Sequence, residues 1–232
     1  MYLIEGNIGA GKSTFLQLIQ KNIPELKVIF EPVNIWQADQ PGQSLLQNFY
    51  SDTKRWAYSM ESFTLINRTF ENSKIKLNNA YATLAERSIY SGYYCFAKNS
   101  YFNGFMERLE WNIYEKWFQF LTSHHNYPKP TGFIYLRTTP STAYARIIKR
   151  NRSAENLISF DYINQIHERH EELLLTNHQA ELHTNAPVLV IDANYDFEHN
   201  PQALQKILNQ IQVFISASQN AQSLVHPEQT LY

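Results

Sequence analysis

The chain has a single cysteine, Cys95, which excludes an intramolecular disulfide and any thiolate cluster spaced for a metal; a reducing compartment is the default. No apolar run reaches the roughly 18 residues that a membrane-spanning helix needs. Neither charge dominates: the formal net charge is −1, whereas a general nucleic-acid or membrane-surface binder carries a basic surplus. The first motif begins too early to leave room for a cleavable leader, so the chain as written is expected to be soluble, untargeted and cytoplasmic. What is present is core material. At 232 residues and 44% hydrophobic content it fills one sizeable domain. Aromatics at 14%, with 15 Tyr and 14 Phe, exceed the needs of packing and leave a minority to face flat ligands.

Short β-rich runs alternate with helical patterns: YLIE (2–5), KVIFE (27–31), YATLAER (81–87), GFIYLR (132–137) and PVLVID (187–192). The alternation predicts an α/β domain with a mainly parallel sheet. About fifty residues between the second and third runs, rich in Tyr, Phe, Trp and helix formers, predict two helices over the carboxyl ends of the strands, where such folds bind ligands. The domain is expected to occupy residues 1–215. The polar, aperiodic stretch 216–232 is expected to be a frayed, flexible tail.

The run GNIGAGKST places Gly6, Asn7, Ile8, Gly9, Ala10, Gly11, Lys12, Ser13 and Thr14 between a strand and a helix pattern, and it satisfies GxxxxGK[ST]. Its glycines let backbone N–H groups turn inward around phosphate oxygens. Lys12 reaches the terminal phosphates of a nucleoside triphosphate, and Ser13 can ligate Mg²⁺. A guanine-specifying NKxD is absent, and the chain is short for a motor. A small-molecule kinase is the class that remains.

A kinase acting on a hydroxyl needs a base, and the first strong acid beyond the loop is Glu31, in EPVNIW (31–36). Pro32 is expected to end the strand, and Trp36 either walls a sugar or base or simply packs. ERS (86–88) follows the third run: Glu86 can hold Mg²⁺ through water, and Arg87 can steer the acceptor oxygen and Glu31 together. In ARIIKRNRSAE (145–155), Arg146, Lys149, Arg150 and Arg152 form a basic cluster able to close over a triphosphate, or else a solvated helix face.

Five ordered blocks, GNIGAGKST, EPVNIW, ERSIYSGYYCF, YLRTTPSTAYARIIKRNRSAE and DYINQIHERHEELLL, followed by VLVIDANYDF, make the chain resemble the deoxynucleoside kinases over about residues 2–197. This group includes the insect multisubstrate, mitochondrial thymidine and deoxyguanosine, and cytosolic deoxycytidine kinases. The resemblance implies a P-loop kinase fold with a five-stranded parallel sheet flanked by helices, an arginine-bearing lid, and a homodimer. It also implies transfer of the γ-phosphate of ATP, with Mg²⁺, to the 5′-hydroxyl of a deoxynucleoside, with no nucleic acid or membrane as partner. By position, it makes Glu31 the base, Arg87 its partner, Ser13 and Glu86 the magnesium side, and Arg146, Arg150 and Arg152 the lid arginines. Tyr50 and Glu155 fall at the sugar 3′-hydroxyl, Trp36 and Phe96 around the base, and Asp192 and Asn194, in DANYDF, at the adenine of ATP.

One departure bears on the substrate. Glu61 stands where the family ordinarily has Gln, whose amide both donates and accepts; an ionised Glu61 only accepts. Guanine presents two adjacent donors that a carboxylate can accept together. Arg68, two turns further along the same helical face, can donate to guanine O6 and N7. Where deoxycytidine and deoxyguanosine kinases pair this arginine with an aspartate, the chain has Gly92, which is expected to leave Arg68 freer. The expectation is a purine-leaning kinase with deoxyguanosine favoured. Two alternatives stay open: Glu61 and Arg68 pair with each other, or Glu61 is protonated.

HERHEE (167–172) carries His167 and His170 at a spacing equally that of one helix face, so metal binding is set aside. His124 and His125 read as a solvated helix end, and Cys95 as a small buried apolar residue. A nucleoside monophosphate kinase is a rival, although Glu31 would repel an acceptor phosphate. The other rival is an inactive nucleotide-binding regulatory subunit, which would not need Lys12, Glu31, Arg87 and the lid arginines together.

Overall fold

The computed structural model describes residues 1–35, 44–73, 82–123, 129–176 and 186–225, apart from the side chains of residues 34 and 221–225. Five strands, β1 (Tyr2–Glu5), β2 (Lys27–Ile29), β3 (Thr83–Glu86), β4 (Gly132–Arg137) and β5 (Val188–Asp192), form an all-parallel sheet in the order β2-β3-β1-β4-β5. They are the five predicted runs, mostly trimmed at the ends. The sheet is covered on both faces, which is why its central strands read as continuous apolar runs. Leu3, Ala85, Phe133 and Tyr135 point into one core; Tyr2, Ile4, Leu84, Ile134 and Leu136 point into the other.

The helices are α1 (Lys12–Asn22), α2 (Leu45–Ser51), α3 (Thr53–Ser73), α4 (Ile89–Ser91), α5 (Lys98–Phe102), α6 (Arg108–Ser123), α7 (Pro140–Arg150), α8 (Phe160–Glu171) and α9 (Pro201–Val225), with a π-helical turn at Gly92–Ala97. Their starts follow from local chemistry. Ser44 accepts from the amide of Gln47 and Ser159 from that of Tyr162, while Thr139 caps α7 with Pro140 in its first turn. As predicted, α2 and α3 occupy the stretch between the second and third strands. In this strand order the chain leaves β1 toward β3 on one side and β4 on the other, which opens a crevice at the carboxyl end of β1.

Two boundaries differ from expectation. β2 stops at Ile29 rather than running to Pro32, because the Glu31 amide donates to Glu86 Oε2 at 3.3 Å instead of continuing the ladder. Helix α9 continues through Val225, past the expected domain end at 215. Its apolar stripe, Ile207, Leu208, Ile211 and Ile215, is buried against the sheet, and the Tyr2 hydroxyl donates to the Ile215 carbonyl. The polar residues that follow extend a helix already nucleated, which requires no hydrophobic period of their own. Residues 226–232 lie outside the described residues, as do His124 and His125.

Candidate active site

The phosphate loop joins β1 to α1 over the crevice. Gly9 has φ +79, and a Cβ there would stand 2.3 Å from the Ala143 carbonyl oxygen, so the loop can pack against α7 only with glycine at this position. Lys12 is 6% exposed and curls back onto its own loop, donating to the carbonyls of Gly6 (3.1 Å) and Asn7 (2.9 Å). Burial, and then the repulsion of Arg87, bring its pKa down to about 7. Asn7 braces the loop by donating to the Ile163 carbonyl and accepting from the Ile8 amide.

A cavity of about 330 Å³ opens from this loop. Its walls bring together Ile8, Gly9, Gly11, Lys12, Ser13, Thr14, Glu31, Tyr50, Glu61, Arg68, Glu86, Arg87, Phe96, Arg150, Arg152 and Glu155, residues separated by up to about 150 positions in the chain. Ser13 Oγ donates to Glu86 Oε1 at 2.8 Å, which places two hard oxygen ligands side by side next to the loop. Glu31 is held between two guanidinium groups. Arg68 donates to Oε1 through Nε (3.1 Å) and Nη2, and Arg87 Nε lies 3.2 Å from Oε2. Burial alone would raise the carboxyl's pKa. Arg68 first, then Arg87, overcome that and hold it below the usual carboxylate range.

Arg87 itself has φ +63, an uncommon conformation for a residue with a side chain, of the kind found where function demands it. The following Ser88 fixes this turn: its hydroxyl donates to Glu5 and accepts from the amides of Tyr90 and Ser91. The Arg87 guanidinium lies 4.7 Å from the centre of the Phe96 ring, and its Nη1 is buried with no hydrogen-bond partner among the described residues. A buried orphan donor beside a lysine driven toward neutrality is a site short of anionic charge, which fits a bound polyphosphate.

Glu155 collects both Arg150 and Arg152, so the basic cluster is not simply a solvated face. Arg146 instead bridges the loop to the end of β5, donating to the carbonyls of Ala193 (2.8 Å) and, at 3.4 Å, Ala10, Asn194 and Tyr195. It lines a second, more open cavity of about 650 Å³ with Thr142, Asn194, Tyr195 and Phe197, adjoining the first at Gly9, Gly11 and Thr14. Asp192 does not line this cavity; its carboxylate accepts from the amide and side chain of Asn194 and so shapes the turn. Gly6, Asn7 and Ala10 also stand behind the cavity walls. Trp36 lies outside the described residues.

Two expectations about the base end change. Arg68 is not left freer by Gly92. Desolvated at 9% exposure, its guanidinium takes the nearest carboxylate, that of Glu31, and only Nη1 is turned toward Gly92, where a Cβ would meet it at 2.8 Å. Glu61, 4% exposed, has no hydrogen-bond partner for its carboxyl among the described residues, and burial pushes its pKa up to about 8 despite Arg68 and Arg87. Burial therefore favours its neutral form at neutral pH. Sequence reasoning also missed Met60, Thr64 and Tyr162 on the cavity wall. Ala57, Met60, Glu61, Thr64, Leu65 and Arg68 are the buried stripe of α3, and their helical spacing was the available signal. His170 is fully buried with Nδ1 2.7 Å from the Ile166 carbonyl, and Cys95 is buried as expected.

A sequence profile described as "Deoxynucleoside kinase" matches residues 2–216. The chain is 36% identical over 213 residues to a probable deoxycytidine kinase of Fowlpox virus, covering 92% of this chain and 87% of the viral one. It is 32% identical to the mitochondrial deoxyguanosine kinase of Xenopus laevis, with 92% and 88% covered, and 32% identical to the deoxycytidine kinase of Homo sapiens, with 87% and 86% covered.

Proposed function

The chain belongs to the deoxynucleoside kinase family, a nucleoside kinase whose phosphate donor is ATP, and from that premise we propose that it serves nucleotide salvage by phosphorylating the 5′-hydroxyl of deoxynucleosides, with deoxyguanosine favoured. The observation that carries the reading is Glu31, clamped between Arg68 and Arg87 on the cavity wall that faces the phosphate loop. Glu31 accepts the proton of the 5′-hydroxyl as that oxygen attacks the γ-phosphorus of ATP and ADP leaves. Its lowered pKa keeps it ionised and ready at neutral pH. Lys12 and the arginines on Glu155 balance the charge spreading over the transferred group, and Tyr50 and Glu155 hold the sugar. Ser13 and Glu86 would hold Mg²⁺, which neutralises phosphate charge. The adenine of ATP occupies the cavity of Arg146 and Asn194.

All four arginines of the acceptor cavity are bonded to Glu31 or Glu155. An acceptor phosphate would have to compete with those carboxylates for the arginines, which disfavours a monophosphate acceptor. For the base, an ionised Glu61 accepts from guanine N1–H and the 2-amino group together. Removing its proton at pH 7 costs about 1.4 kcal/mol for a pKa near 8. Two hydrogen bonds to a charged group return about 1.5–3 kcal/mol each, so guanine gains. ATP-dependent phosphorylation of the four deoxynucleosides and their monophosphates tests the reading, with Glu31→Gln as control. Deoxyguanosine is expected to lead and the control to be inactive; turnover of monophosphates alone would overturn the acceptor assignment.

A homodimer is part of the same proposal. The adjacent helices α3 and α6 expose Phe63, Ile66 and Phe70 on one and Leu109, Trp117 and Phe120 on the other, a surface suited to a second copy. Residues 1–225 form the kinase domain in this reading.

A further inference from the structure

Among the described acids of the acceptor cavity, only Glu61 combines three features. It lines the wall, it is nearly sealed from solvent, and its carboxyl has no hydrogen-bond partner among the described residues. By contrast, Glu31 is held by Arg68 and Arg87, Glu86 by Ser13 and the Glu31 amide, and Glu155 by Arg150 and Arg152. The hydrogen-bonding capacity of Glu61 is therefore unspent. A carboxyl is unusual among such groups because gaining or losing one proton changes what it can pair with. Neutral, it presents one donor and one acceptor, as a glutamine amide does; ionised, it presents acceptors only.

We propose that Glu61 selects the nucleobase by its protonation state: the neutral carboxyl pairs with the donor–acceptor edges of adenine, cytosine and thymine, and the carboxylate pairs with the two adjacent donors of guanine. The inference rests on the reading of this cavity as a deoxynucleoside acceptor site and concerns how that site discriminates. Binding of guanine to the neutral form then releases one proton to solvent, while binding of the other bases releases none.

The surroundings permit both states. From its own helix, Glu61 feels Arg68, whose Nε and Nη2 are turned to Glu31. From the turn after β3 it feels Arg87, also engaged by Glu31. Tyr50 of α2, Tyr114 of α6 and Tyr162 of α8 face it as phenols, which burial keeps protonated across the relevant range. Two guanidiniums stabilise the carboxylate and burial disfavours it, leaving the balance near pH 8. Since the pKa is raised, the neutral form prevails below that pH and the carboxylate above it, so guanine must gain as pH rises.

The test is kcat/KM for deoxyguanosine and for deoxycytidine between about pH 6 and about pH 8.5, below the range where guanine's own N1–H ionises. Ionisations that both substrates share, at Lys12, Glu31 and ATP, cancel in the ratio of the two values. The deoxyguanosine-to-deoxycytidine ratio is expected to climb by up to about tenfold per pH unit. It should stay flat in Glu61→Gln, held near the wild-type value at low pH. As a readout free of any variant, calorimetric binding at pH 7 in buffers of different ionisation enthalpy is expected to show close to one proton released with deoxyguanosine and none with deoxycytidine. A flat wild-type ratio, an equal climb in Glu61→Gln, or equal proton release with both bases overturns the inference while leaving the kinase reading standing. No turnover of any deoxynucleoside overturns that reading, and this inference with it.

Discussion

Replacing Arg68 by Met removes one of the two cations that hold Glu31 while keeping most of the side-chain length. The wild-type pair is enclosed: the Arg68 and Glu31 side chains are 10% and 9% exposed, so solvent screens their attraction little. Breaking a buried pair by deleting one partner costs about 3–5 kcal/mol, because the remaining charge stays desolvated. Arg87 still lies 3.2 Å from the other Glu31 oxygen, which argues for the lower end, about 3 kcal/mol. Glu31 can recover part of this by taking a proton, and each unit of raised pKa corresponds to 1.36 kcal/mol. The acid limb of the kcat profile is therefore expected to move up by about one to two pH units. The sign follows from the lowered pKa of Glu31. Its stabilisation is present above the unfolded carboxyl pKa and is lost as pH falls through the folded one. The assay is kcat against pH together with urea unfolding at neutral pH. An acid limb that stays in place, combined with a stability loss under about 1 kcal/mol, would refute the view that Arg68 governs Glu31.

Gly9→Ala should cost more than about 2 kcal/mol of stability and raise KM for ATP, since a Cβ at φ +79 would stand 2.3 Å from the Ala143 carbonyl; thermal melting and ATP kinetics check both. Ser88→Ala strips Glu5 of a hydrogen-bond donor and two amides of their cap, for an expected loss of about 2–3 kcal/mol in urea unfolding and a fall in kcat through the Arg87 turn. Lys12, lowered to about 7 by burial and by Arg87, must be charged to hold triphosphate, so ATP affinity is expected to weaken above that pH by up to about tenfold per unit. Lys12→Arg should flatten that pH dependence, and titration calorimetry at several pH values reads it directly.

The phosphate loop, the five strands and the acids at their carboxyl ends were legible in the chain because each depends on neighbours within a few residues. Glycine spacing sets a loop, and a run of apolar residues sets a buried strand. The helical stripe of α3 was equally legible, yet only Glu61 and Arg68 were taken from it, and Met60 and Thr64 went unread. The extension of α9 to Val225 was hidden because a nucleated helix can propagate through polar residues that show no period.

By itself, then, the sequence determined an α/β chain of the deoxynucleoside kinase family, because its phosphate loop and its strands are written in local spacing. The tertiary structure decided the partnerships and the charge states. Arg68 meets Glu31 across 37 positions and Ser13 meets Glu86 across 73, contacts that no local pattern encodes. Whether Glu61 carries a proton depends on how far water is excluded from it and on where two guanidiniums point. Both are set by the packing of helices against one another, since the free energy of a charge depends on the medium around it and not on its place in the chain.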